Sequence, residues 1–209
     1  MVLPWRLLPA LYNPLVEGAK SPEFDPKRPV ASAMAVLRAI FFAPRSFYLN
    51  FTAEGPLREP ALFVLLVSAV SGVLSTVVNL ISSTIFETGV SLSGLAVSKL
   101  VFVVLSPILV GAVAGVYLLA VRTFIGTEGK FREVYRMLAY AYGAAILLWI
   151  PGVSALAFTY ATFILMLLGI RSVYRTSLQT ALITALTGFV PVALAFIGVL
   201  IVVNGLVAR

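Results

Sequence analysis

The pentapeptide REVYR at 132–136 returns almost unchanged as RSVYR at 171–175, and these two stretches hold the side chains best suited to binding chemistry. An arginine guanidinium is a flat, permanently charged fork that meets a phosphate or carboxylate with two parallel hydrogen bonds. Within each copy the arginines stand four residues apart, one above the other on a helix face. Tyr135 and Tyr174 lie beside them, with amphipathic rings suited to the headgroup level of a bilayer. Arg132, Tyr135, Arg136, Arg171, Tyr174 and Arg175 are therefore candidate contacts for an anionic lipid headgroup or an acidic protein partner, with Glu133 and Glu128 as local counter-charges. The plainer reading is that they serve only as topology signals and interface anchors.

Other chemistry is scarce. The chain has no Cys and no His, which removes thiolates, disulfides, the commonest metal ligand and the usual general base. Its apolar runs contain no Asp or Glu, so ion-coupled carriers and intramembrane aspartyl or metalloproteases lack the groups they need. Lys99 lies near the end of a run, where its ammonium can snorkel to the interface. Gly129-Lys130 has neither the first glycine nor the Ser/Thr of a phosphate loop. The expectation is a protein with no catalytic residues, no metal and no cofactor.

The elements that position the pentapeptides follow from composition. With 61% hydrophobic residues, 11% charged residues and a mean hydropathy of +1.06, the chain is an integral membrane protein. Its net charge of +7 flanks the apolar runs, which points to a membrane face and excludes nucleic acid as the expected partner. Residues 1–58 read as a cytoplasmic, proline-rich region; Pro4, Pro9 and Pro14 interrupt any signal-peptide core. Within it, 31–43 predicts a short amphipathic helix with Ala33, Met34, Leu37, Ile40 and Phe41 on one face. That helix either lies in the headgroup layer or packs on the bundle.

Residues 59–209 read as an all-α membrane domain of five transmembrane helices, at about 61–86, 95–121, 134–150, 152–170 and 181–208. The block from Met137 to Ile170 is too long for one crossing, and Trp149-Ile150-Pro151-Gly152 marks a tight turn at its middle. The two pentapeptides then sit at the two ends of one hairpin. Thirteen of the fifteen basic residues fall on one side of this arrangement, leaving Lys99 and Arg209 on the other. By the positive-inside rule the N-terminus is cytoplasmic and the C-terminus outside.

Pro107 and Pro191 inside spans should bend their helices and free a carbonyl. Gly111 and Gly115 form a GxxxG pattern that predicts close helix packing, within the bundle or in a homo-oligomer.

Several stretches taken in order have a familiar pattern: Ala43-Pro44-Arg45-Ser46-Phe47, Gly55-Pro56, GKFREVYRMLAYAYG, the Ile-Pro-Gly turn and GIRSVYRTSLQTA. Over roughly residues 40–205 the chain resembles the Yip1 domain family, and it looks like a prokaryotic member. The resemblance implies five spans after a cytoplasmic N-terminal region, and it brings no catalytic residues. Eukaryotic members work in membrane traffic with Rab GTPases; here only Glu54-Gly55-Pro56 matches their acidic Gly-Pro motif, so that partner is not carried over. The expected function is a non-enzymatic protein of a prokaryotic cell membrane, organising membrane, lipid or protein partners through its basic cytoplasmic face. The alternative is a small permease, channel or lipid transporter with a polar route along Asn79, Tyr142, Tyr160 and Asn204.

Overall fold

The computed structural model describes residues 20–85, 92–126, 129–150 and 152–207. They form α1 (Pro29–Phe42), α2 (Pro44–Leu49), α3 (Arg58–Ile85), α4 (Leu92–Phe124) and α5 (Phe131–Ala141), which tightens into a 3-10 helix at Tyr142–Leu147. After a turn come α6 (Ser154–Thr159), a π-helical segment (Tyr160–Leu165), α7 (Met166–Val173) and α8 (Leu178–Val207). No strand occurs among the described residues.

Four stretches are long and apolar enough to cross a bilayer: Arg58–Ser83, Ala96–Phe124, Ser154–Val173 and Leu178–Val199. Their outward residues are apolar too, including Val73 and Ile81 on α3, Leu100 and Ile108 on α4, and Leu194 and Ile197 on α8. Such a surface is stable against hydrocarbon and not against water. The span expected at 134–150 differs from the others. It is the short α5 followed by the 3-10 helix, and every residue from Val134 to Ala141 is buried. A segment buried all round takes its apolar surroundings from neighbouring helices, so it tolerates Arg136 where a lipid-facing span would not.

The glycine at 143 explains how closely the N-terminal region joins this centre. A Cβ there would stand 2.6 Å from Ile40 Cδ1 and 3.2 Å from Phe63 Cζ, so glycine lets these side chains of α1 and α3 reach the 3-10 helix without shifting. Helix α1 begins beside an Asp25 turn, where the Lys27 N–H donates to Asp25 Oδ1 at 2.8 Å, and Pro29 fills its first turn. It buries Ala33, Val36, Ala39 and Ile40 against the bundle, while Met34, expected on that face, is 61% exposed. Positions 33, 36, 37 and 40 follow the 3.6-residue repeat of the inward face, on which Leu37 and Ile40 reach Gly143, and Met34 is rotated about 100° from Ala33. Phe24, Phe47, Phe51, Phe63 and Tyr140 form one set of ring contacts, with Phe63 and Tyr140 centroids 5.5 Å apart. Residues before Arg58 and residues of the spans thus share a single core.

Pro107 lies within α4 without ending it. Having no N–H, it cannot serve the Val103 carbonyl four residues back; the Ser106 hydroxyl donates to that carbonyl instead, at 2.8 Å.

Candidate functional site

Of the six candidate side chains, Arg136 has the most unexpected position. It is 1% exposed, at the heart of the packing between α5 and the segment before α3. Its Nε donates to the Thr52 carbonyl at 3.2 Å and its Nη1 to the Pro56 carbonyl at 2.7 Å. Its Nη2 stands 3.0 Å from Glu23 Oε2, an ion pair whose geometry is not aligned as a hydrogen bond. Burying a guanidinium costs several kcal/mol unless its donors are matched, and here carbonyls and a carboxylate surround it. Gly55 makes that enclosure possible. Its backbone has φ +153°, and a Cβ there would lie 2.7 Å from Arg136 Nη1 and 2.9 Å from Cζ. The Glu54-Gly55-Pro56 turn therefore wraps the guanidinium, and Arg136 is directed away from any headgroup.

Tyr135 is buried as well, against the expectation of an interfacial ring. It packs beside Phe131, with centroids 5.9 Å apart, and its hydroxyl donates to the Pro107 carbonyl at 3.4 Å. The spacing of the pentapeptide could not distinguish these two inward residues from Arg132, because burial on all sides of α5 is set by helices distant in sequence. Glu23, Thr52, Gly55 and Pro56 escaped notice as partners for the same reason, although the Glu-Gly-Pro turn gave a partial signal.

The remaining four residues lie at the linked ends of α5 and α7. Tyr174 closes α7 and donates its hydroxyl to Glu133 Oε2 at 3.1 Å, joining the end of α7 to the first turn of α5. Burial, then the charge of Glu133, pushes the Tyr174 hydroxyl well above its ordinary range. Beside this link Arg132, Arg171 and Arg175 are all exposed. Arg175 adopts φ +48°, a left-handed conformation that ends the helix. Neighbouring carboxylates are already engaged: Lys130 Nζ lies 3.0 Å from Glu54 and 3.9 Å from Glu133. The hydrogen bond from Lys130, then its charge, holds the Glu54 carboxyl below its ordinary value. Glu128, the other expected counter-charge, lies outside the described residues; among those described, the rim is a basic surface whose nearby acids, Glu54 and Glu133, are already paired.

The polar side chains proposed as a route are occupied within the bundle. Tyr142 and Ser68 share a hydroxyl–hydroxyl bond at 2.9 Å, and Tyr160 donates to the Ile40 carbonyl at 2.7 Å. Asn79 Nδ2 reaches Ser75 Oγ at 3.5 Å, and Lys99 Nζ donates to the same hydroxyl at 2.9 Å. The side chain of Asn204 lies outside those described. Gly111 faces α5 at ordinary contact, its would-be Cβ 3.7 Å from the Tyr135 ring. At Gly115 a Cβ would meet nothing within 4 Å, which corrects the expectation of close intramolecular packing there. The closer approach is at Gly188, where a Cβ would lie 2.5 Å from the Tyr117 ring.

A buried-arginine core, apolar flanks and four membrane-length helices define a multi-pass, all-helical membrane protein. The family model of the Yip1 domain matches residues 38–202, so the chain belongs to the Yip1 domain family. That family is not a known enzyme family. No curated protein and no solved structure matches the chain.

Proposed function

We propose that this protein is a non-enzymatic organiser of a prokaryotic cell membrane, acting through the basic rim at the cytoplasmic ends of α5 and α7. The observation that carries this reading is the exposed trio Arg132, Arg171 and Arg175 beside a Glu133 already held by Tyr174 and Lys130. Exposed like charges on one rim favour an anionic surface, and phosphate-bearing headgroups supply it. Arg136 and Tyr135 are left out of the contact set because both are buried. The non-enzymatic reading rests on the absence of His and Cys and of carboxylates in the apolar runs. The transport alternative is not favoured by the intramolecular bonds of Tyr142, Tyr160 and Asn79.

The test is the triple variant Arg132→Gln/Arg171→Gln/Arg175→Gln in nanodiscs of mixed anionic and zwitterionic lipid, read by native mass spectrometry. At about 1 kcal/mol per basic residue, the anionic preference should fall about a hundredfold and lose its salt sensitivity. A triple variant that keeps both would refute the reading.

The same proposal includes five crossings with the N-terminus inside. In support, α5 and its 3-10 continuation span about 28 Å at the rises of those helices, close to the hydrocarbon thickness. The contact of α1 with Tyr160, in the far half of the hairpin, suits a re-entrant hairpin equally well. Either way the hairpin returns to one side, so cysteines at 127 and 208 report the same orientation in both cases. Cysteine at Ser154, beside the turn, separates them. Labelling by an impermeant reagent from outside supports five crossings, and protection from outside with labelling from inside shows re-entry and three crossings.

A further inference from the structure

A cavity of about 200 Å³ lies among α4, the 3-10 helix, the α6–π segment and α8. Its walls include three hydroxyl-bearing residues, and each hydroxyl is already bonded. Ser106 donates to Val103 O at 2.8 Å, Thr162 donates to Phe158 O at 2.6 Å, and Tyr142 shares its bond with Ser68. The rest of the lining is hydrocarbon, with Phe158 and Phe196 stacked at 4.5 Å along one wall. No polar atom in that wall is left to orient a polar solute, and water would find no partners there.

Two features explain why the space exists. The lining at 145, 157 and 161 is alanine, and the backbone on both sides departs from α-helical geometry, as 3-10 at 142–147 and as π at 160–165. A π segment widens its helix locally and recurs at ligand sites. Pro107 bears on the third wall, between the lining residues Ser106 and Leu109. The cavity also reaches the outer surface, because its lining residues Phe102, Leu109 and Phe196 are 41%, 48% and 36% exposed. They belong to the apolar flank of α4 and α8, which faces bilayer hydrocarbon.

We propose that this cavity seats one acyl chain of a membrane lipid, inserted sideways from the bilayer. The chemistry fits that occupant: an apolar wall with satisfied hydroxyls, an opening onto hydrocarbon, and a volume above the roughly 150 Å³ that accepts a benzene-sized hydrocarbon. The seat holds a segment of chain and no headgroup, so binding is independent of headgroup charge. It stands on observations separate from the basic rim.

The experiment uses the full chain in nanodiscs of phosphatidylcholine carrying a diazirine midway along one acyl chain. After photolysis, adducts are mapped by peptide mass spectrometry. Leu138 and Phe158, which line the cavity, should be labelled at least as strongly as Leu194, which faces annular lipid. Filling the cavity with Ala161→Phe, or more gently with Ala145→Leu, should lower the cavity adducts at least fivefold and leave those on Leu194 unchanged. Thr162→Val should leave every adduct unchanged, since no polar contact to the occupant is proposed. Cavity adducts absent from the native chain would show a dry void. Adducts that persist in a folded, filled variant, or that vanish in Thr162→Val, would likewise overturn the proposal.

Discussion

Replacing Arg136 with Met keeps the length and apolar stem of the side chain and removes the guanidinium from the core. The variant loses the bonds to Thr52 O and Pro56 O and the ion pair to Glu23. Hydrogen bonds from a charged donor contribute about 1.5–3 kcal/mol each, and breaking a buried ion pair costs about 3–5 kcal/mol. The Glu23 side chain is 37% exposed, so water can solvate the carboxylate left behind and the stranding term is small. The expected loss is therefore about 3 kcal/mol, at the lower end of that range. Arg171→Gln, at an exposed position, should stay within about 0.5 kcal/mol of the parent. Unfolding of detergent-solubilised protein, followed by circular dichroism, measures both. Limited trypsin digestion adds a local readout, because Arg136 ties residues 23 and 52–56 to α5: cleavage after Lys20 and Lys27 should accelerate in Arg136→Met. Arg136→Lys keeps the charge without the fork and should fall between. If Arg136→Met unfolds with the parent and shows the same cleavage rate, the guanidinium does not hold the N-terminal region, and the account of the core is wrong.

Gly188→Ala should destabilise by about 1–3 kcal/mol, since its methyl group would overlap the buried Tyr117 ring, while Gly115→Ala should change stability by under about 0.5 kcal/mol. Equal melting shifts for the two would contradict the packing of α4 against α8. Gly55→Ala should mimic part of the Arg136→Met loss, because its methyl would meet the guanidinium at 2.7 Å; a thermal melt matching the parent would show that the turn can move aside. Tyr174→Phe removes the bond to Glu133 and should cost about 1 kcal/mol at neutral pH. Because the folded state raises this hydroxyl above its ordinary value of 10.0, the contribution is complete below pH 10 and disappears as pH rises through the folded value. The stability gap between parent and variant should stay constant from pH 6 to 9 and close at higher pH; a gap that closes on acidification from pH 9 to 6 would reverse the assignment.

Sequence by itself determined the membrane class, four of the apolar spans and the turn near Trp149. Those features depend on composition and on runs about 20 residues long, which transfer from water to hydrocarbon as local units. It also supplied the family resemblance, which the match over residues 38–202 bears out. The roles inside the two pentapeptides were decided only in three dimensions. Arg132 and Arg136 occupy equivalent places in a linear pattern, one helical turn apart, yet one is exposed and the other is 1% exposed. Which of them is buried depends on Glu23, Thr52 and Pro56 folding back over α5 from the proline-rich region before the first span. Likewise, GxxxG marks Gly111 and Gly115 as equals, while the facing helix meets the first and leaves space at the second. Periodicity tells which residues share a face of one helix; what covers that face is settled by residues far away along the chain.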